Sequence, residues 1–359
     1  MNRITMPNVS HITRTGLAEN LALSFAFPIG LVFAVIWGLI FHSLQSNSIT
    51  LSGWPSIGLG VLIDAGVIVF IGFILGYLRG QKALQPHEQL KLSKPKFIFD
   101  CLALTSAYTI IAVALTAVIL TGINVAFKDV RMTDFSAALV VGIFATFTTY
   151  SIISTSVRLQ SKDIVHALTL FITGGVFISM ATAKNPLWWQ INFSSLGTSG
   201  TISAYSFNIT LVLSGLLLLC LTDYLLSDLQ QVVKGNTATI TKRTNTIKLL
   251  FVGISASLAG VGLFPWDIHP LLHTSSAYLL VVVFSILIIG LHKLVPNLSK
   301  SFFANSYGIL VILVACFIMW QPFRYFNQTA FELIAFCLIF IWLVLFLRTI
   351  TNLKNSLVA

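Results

Sequence analysis

The sequence predicts an all-α integral membrane protein, a polytopic bundle of about ten transmembrane helices with its N-terminus and C-terminus cytoplasmic. Three observations predict it. Apolar residues make up 56% of the 359-residue chain and charged residues only 9%, against about 25% charged in ordinary soluble proteins. The apolar residues fall into runs of about 20, the length that crosses ~30 Å of hydrocarbon. The basic residues sort between alternate connections, as topology signals do.

The ten runs lie near 21–42, 57–78, 97–123, 135–157, 163–184, 203–226, 246–264, 271–293, 303–320 and 329–348. No small-residue cleavage site follows a short apolar core near the start, so the first run reads as a retained helix rather than a signal peptide. With the N-terminus inside, 17 of the 21 Lys and Arg residues fall on the inner face, among them Arg79, Lys82, Lys91, Lys94 and Lys96 after the second run and Lys234, Lys242, Arg243 and Lys248 around the sixth connection. Lys128, Arg131, Lys184 and Arg324 alone fall outside. Dropping one crossing would scramble every later connection, so this asymmetry supports both the orientation and the even number of crossings.

The chain divides into a four-helix region, 1–158, and a six-helix unit, 159–359. The polar connections 79–96 and 227–245 are too short to be domains. The second contains Lys234, Lys242 and Arg243 and reads as a basic tether drawn to lipid head groups. The connection 184–202 is rich in Trp, Asn, Ser and Gly, a composition of ordered turns, with Trp188 and Trp189 suited to the membrane interface. No internal repeat supports an inverted-repeat transporter.

Composition also excludes functions. The net charge of +10 sits in loops between apolar runs, which argues against nucleic acid as a partner. Cys101, Cys220, Cys316 and Cys337 fall inside apolar runs with no CxxC spacing and read as small core residues. The phosphate loop, GxGxxG, CxxCH and GxSxG signatures are all missing, so ATP-driven work by this chain alone is not expected and no cofactor is assigned.

The densest chemistry is the polar, aromatic stretch 262–277, where Asp267, His269 and His273 fall within seven positions. Pro265 and Pro270 end one helix and start the next, because proline lacks the interior N–H yet suits the first helical turn. The stretch is therefore a tight turn at a membrane face. On the expected topology, three outer connections gather Asn192, Ser194 and Ser195, then Asp267, His269 and His273, then Arg324 into one pocket. The plainer reading is three separate capped turns, since helix ends need polar partners in any case. His269 and His273, four apart, present either two metal ligands on one helix face or a cap followed by a hydrogen-bonding or proton-handling histidine. Pro270 takes His269 to the cap and the sequence supplies no third ligand, so no metal is assigned. Ser275 and Ser276 adjoin His273, but a catalytic triad needs proximity in space rather than in sequence.

Asp64, about seven residues into the second run, and Glu332, near the outer end of the tenth, are carboxylates at membrane depth, where an unpaired charge costs at least ~2.5 kcal/mol. Arg324 and His273 are the expected partners of Glu332. Asp64 has no partner evident in sequence, and is either neutral or faces a water-filled cavity. Asn208 in the sixth run is suited to a hydrogen bond between helices.

From about residue 160, Trp189 with Phe193-Ser-Ser-Leu-Gly197, Phe207-Asn208 with Leu211 and Gly215, Gly262-Leu-Phe-Pro265 with His273 and Ala277, and Glu332 with Trp342 resemble the domain-of-unknown-function 998 family of bacterial and archaeal membrane proteins. The likeness covers the last six helices; in pattern these also look distantly like the eukaryotic DRAM and Sfk six-helix proteins. The resemblance implies a six-helix membrane unit and brings no established activity. Members often carry an acid where this chain has Ser195.

These readings point to a plasma-membrane protein that binds or transports a lipid or amphiphilic envelope component through an outward-facing pocket. The alternative is an intramembrane hydrolase or transferase acting on a lipid head group through His273, Asp267 and Glu332. A third is a scaffold for a membrane-protein partner or a homo-oligomer.

Overall fold

The computed structural model describes residues 9–44, 48–83, 93–233 and 236–358. Arg3, Lys91 and Lys234, three of the basic residues assigned to the inner face, lie outside the described residues. Among the described residues ten α-helices follow in order: α1 (Val9–Ser43), α2 (Ile57–Lys82), α3 (Lys94–Ala126), α4 (Asp134–Val157), α5 (Ser161–Ala181), α6 (Ile202–Val232), α7 (Thr237–Leu263), α8 (Pro270–Leu294), α9 (Lys300–Trp320) and α10 (Gln328–Val358). Each coincides with one of the apolar runs. All ten are long and apolar enough to cross a membrane, and Phe27, Val118, Phe147 and Phe177 stand 72, 68, 69 and 65% exposed on their flanks. Apolar side chains exposed on this scale are anomalous in water and are what hydrocarbon requires. The chain is a multi-pass membrane protein.

Several helices outrun their apolar stretches. Intrahelical hydrogen bonds continue wherever the backbone stays helical, while hydropathy marks only the part inside hydrocarbon. The expected basic tether is corrected in this way: α7 starts at Thr237, capped by Asn236 Oδ1 accepting from the Thr239 N–H at 2.9 Å, so Lys242 and Arg243 ride on its first turns.

Contacts divide the chain into two compact units, Met1–Leu159 and Gln160–Ala359. In the first, α1 and α2 both pack on α4. At the α1–α4 crossing the backbones touch: a Cβ on Gly142 would lie 2.8 Å from the Gly30 carbonyl oxygen, the small-residue approach that lets membrane helices gain van der Waals contact. Beside this crossing the Trp37 indole donates to Asp64 Oδ1 at 2.9 Å. Asp64 is 2% exposed, and Trp37 is the partner that was not evident in sequence. At one end of the unit, β1 (Ile49–Thr50) pairs antiparallel with β2 (Arg131–Met132), tying the α1–α2 connection to the α3–α4 connection. Two-residue strands are too short to show an alternation in sequence.

In the second unit α6 packs against α5, α7 and α10. A Cβ on Gly215 would lie 2.6 Å from the Ser255 carbonyl, so α6 and α7 also approach through a glycine. Lower in the bundle, Trp342 stacks on Phe346 (5.1 Å, 9°) and meets Phe284 edge-on (5.2 Å), while its indole donates to Ser306 Oγ at 2.9 Å. The α5–α6, α7–α8 and α9–α10 connections gather at the other end.

Candidate functional site

Those three connections are stitched together by hydrogen bonds. The α5–α6 connection folds into two 3₁₀ turns, Trp188–Gln190 and Phe193–Gly197. The Asn327 amide donates to the Trp189 carbonyl at 2.9 Å, while Asn327 Oδ1 accepts from the Ala330 N–H at 3.0 Å, so one side chain caps α10 and clips it to the first connection. The second connection joins through His273, on the first turn of α8, whose Nε2 lies 2.9 Å from Ser194 Oγ and whose Nδ1 lies 2.9 Å from the Phe264 carbonyl oxygen. A carbonyl only accepts, so Nδ1 carries the proton; in the neutral imidazole Nε2 then accepts from the Ser194 hydroxyl.

Glu332, on the first turns of α10, is fixed by neutral donors. Its Oε2 accepts from the Phe193 N–H at 2.7 Å and its Oε1 from the Gln328 side-chain amide at 2.7 Å, and the Ser194 N–H also points at the carboxylate. The expected pairing with Arg324 or His273 is overturned. Arg324 is exposed, in a left-handed backbone conformation with φ of 51°, while both His273 nitrogens are engaged elsewhere. A carboxylate can be satisfied by amides as well as by a cation, and sequence spacing does not choose between them.

Beneath this cap lies a cavity of about 280 Å³. At its polar end stand Asn192, Ser194, His273, Gln328 and Glu332 with Thr274; its walls are apolar side chains of α5–α10, reaching Phe284 and Trp342. Along α10 it runs from Gln328 to Leu343, about 22 Å at 1.5 Å per residue. That exceeds the ~15 Å of one leaflet's hydrocarbon. Tyr278, Val282 and Phe317 line it while remaining 55, 52 and 44% exposed, so it opens outward along α8 and α9. Asn192 is 4% exposed and its Oδ1 has no hydrogen-bond partner, which leaves a buried acceptor beside the cavity.

Other expected site residues stand apart from it. Ser195 Oγ is spent within its own connection, on the Asn192 carbonyl at 2.7 Å and the Trp188 carbonyl at 3.1 Å. Asn208 donates to the Gly197 carbonyl at 3.0 Å, joining α6 to the first connection rather than lining the cavity. His269 is the exposed N-cap position of α8, its ring edge-on to Phe264 at 6.1 Å. Asp267 accepts from the Ser199 hydroxyl and from the Ser199 N–H; partial burial pushes its carboxyl up, but the Ser199 hydrogen bonds outweigh this and hold it below the ordinary carboxylate range. The triad of His273, Asp267 and Glu332 is therefore not assembled: each has different partners. Asp64 belongs to the first unit. Among the described residues no group of three or more His, Cys, Asp or Glu is placed to hold a metal ion.

Sequence reasoning missed Gln328 and the Ser194–His273 contact. Gln328 and Glu332 are four apart on a helix, a spacing that brings side chains together and was open to reading. The contact across 79 residues was not. Comparison with protein-family models, curated proteins and solved structures finds no match to this chain.

Proposed function

We propose that the second unit binds an amphiphile, with its apolar tail along α10 and its head group under the cap of Asn192, Ser194, His273 and Glu332. The observation that carries this reading is the cavity's polarity: polar groups at one end, apolar walls elsewhere, and a side open toward the helix flanks, where lipid lies. Burying an alkyl tail contributes about 0.8 kcal/mol per CH₂. The charge asymmetry of the loops supports an orientation with the polar end outside and both termini in the cytoplasm; in the plasma membrane the amphiphile would then be an envelope component, carried or held.

Mass spectrometry of amphiphiles copurifying with the intact chain, compared with Ala277→Phe, tests this. Ala277 lines the cavity, and a phenyl group there fills the space. A species bound near one per chain and lost in the variant is expected; equal recovery from both would place it on the protein surface and sink the proposal. Single cysteines at Ser199 and Asn327, in a chain freed of its own four, should react with an impermeant reagent in intact cells. Their protection would reverse the orientation.

A second reading rests on the 2.9 Å contact between Ser194 Oγ and His273 Nε2, the nucleophile–base arrangement of acyl transfer, here with a backbone carbonyl orienting the imidazole. Covalent labelling of Ser194 by a fluorophosphonate, abolished in His273→Asn, is its expected signature. An unlabelled Ser194 leaves the pair as a structural hydrogen bond.

A further inference from the structure

We infer that the amphiphile is cationic: an ammonium head group held by the Glu332 carboxylate and nearby aromatic rings, with a single alkyl tail in the cavity. This rests on the binding reading above and specifies its ligand. Among the described residues the cavity wall contains one carboxylate, Glu332, and no Lys or Arg. The imidazole in that wall, His273, has one nitrogen on the Phe264 carbonyl and the other on Ser194. The amides satisfy the hydrogen bonding of Glu332 but do not balance its charge; when ionised at membrane depth it needs a counter-ion, and the described lining residues offer no cation. Three further features match an ammonium group. Asn192 Oδ1, on a residue 4% exposed, is an acceptor without a donor. Trp266, Tyr278, Trp320 and Phe331 line the same end, Trp320 and Phe331 stacked at 4.7 Å, and aromatic faces attract ammonium and quaternary ammonium groups. Finally, an anionic head group would meet the carboxylate with no side-chain cation to offset the repulsion, whereas beside a neutral one the carboxyl is balanced only by taking up a proton. An ammonium group satisfies the carboxylate, the amide oxygen and the rings together.

The test uses the full chain in nanodiscs of a neutral diacyl lipid, with empty nanodiscs as the blank. Three probes share one tail: tetradecyltrimethylammonium, tetradecanoate and monotetradecanoylglycerol. Saturable binding of the ammonium probe at least about tenfold tighter than either of the others, ~1.4 kcal/mol, is expected. Glu332→Gln should cut that preference below about threefold, by weakening the ammonium probe more than the glyceride. Should Glu332→Gln fail to fold, the ratio in the unaltered chain decides, together with Trp320→Leu, which should weaken the ammonium probe more than the glyceride. Equal binding of glyceride and ammonium overturns the head-group inference and leaves the cavity reading standing. No saturable binding above empty nanodiscs overturns the cavity reading itself. A fourth probe, lysophosphatidylethanolamine of the same tail, separates sources: binding like the ammonium probe identifies a membrane lipid's amine, and weaker binding identifies a phosphate-free amphiphilic amine.

Discussion

Asp64 in the first unit and Glu332 in the second are both carboxylates carried by membrane-crossing helices, and their surroundings differ in the way that separates structure from site. Asp64 is sealed: it is 2% exposed, receives the Trp37 indole, and sits where α1 and α2 pack on α4 through glycines. Glu332 is clamped by a side-chain amide and two backbone N–H groups, yet borders a cavity open along α8 and α9. A buried acid alone says little about function. A buried acid beside a cavity whose described walls bring no counter-ion is what carries the proposal of a ligand.

The sharpest break of this comparison is steric. Gly142→Leu drives a side chain into the Gly30 backbone and should destabilise the first unit by about 3 kcal/mol, the upper range of overpacking, read as a lowered melting temperature in detergent. Ala277→Phe enters space instead, and should change stability by less than about 1 kcal/mol while abolishing ligand recovery. Similar losses in both variants would mean that the cavity wall is as tightly packed as the glycine crossing.

Glu332→Ala comes next. It strands donors from Gln328, Phe193 and Ser194, at about 1–3 kcal/mol for a buried group left unsatisfied, and loosens the clip between α10 and the first connection. Glu332→Gln keeps an acceptor and should cost less. Since Arg324 is not the partner, Glu332→Gln and Arg324→Gln should add within about 0.5 kcal/mol; a coupling well above that would restore the ion pair. Asp64→Asn should be milder still, below about 1 kcal/mol, because one amide oxygen suffices for the single indole donor. A loss above about 2 kcal/mol would show that the Asp64 charge matters to the first unit.

The smallest effect is expected at Asp267. Its folded carboxyl lies below the ordinary value, so the stability contributed by the Ser199 hydrogen bonds is complete above the unfolded value of about 3.9 and is lost as pH falls through the lower folded value. Melting temperature should therefore be flat with respect to this group between pH 7 and 5 and should drop in more acid solution, with the drop reduced in Asp267→Asn. An unchanged acid limb in that variant would assign the drop to other carboxylates.

The fold was legible to within a few residues at most helix ends, because 20-residue apolar runs have one inexpensive conformation in hydrocarbon, a helix that satisfies its own backbone. Pro265 and Pro270 marked the turn before α8 for an equally local reason. The site was legible in part. Asn192, Ser194, His273 and Glu332 do share the cavity's polar end, and the first three were drawn together by the alternation of crossings alone. Ser195, Asp267, His269, Asn208 and Arg324 are as polar and as near in sequence, but the direction in which each side chain leaves its turn put them elsewhere. Composition and periodicity thus determined ten crossings and which connections share a face, since those depend on the energy of each segment in lipid. The pairings Trp37–Asp64, Ser194–His273 and Phe193–Glu332, and the cavity between the helices, were decided by the tertiary structure, because hydrogen-bond direction and unfilled volume are properties of how helices meet, and no single segment carries them.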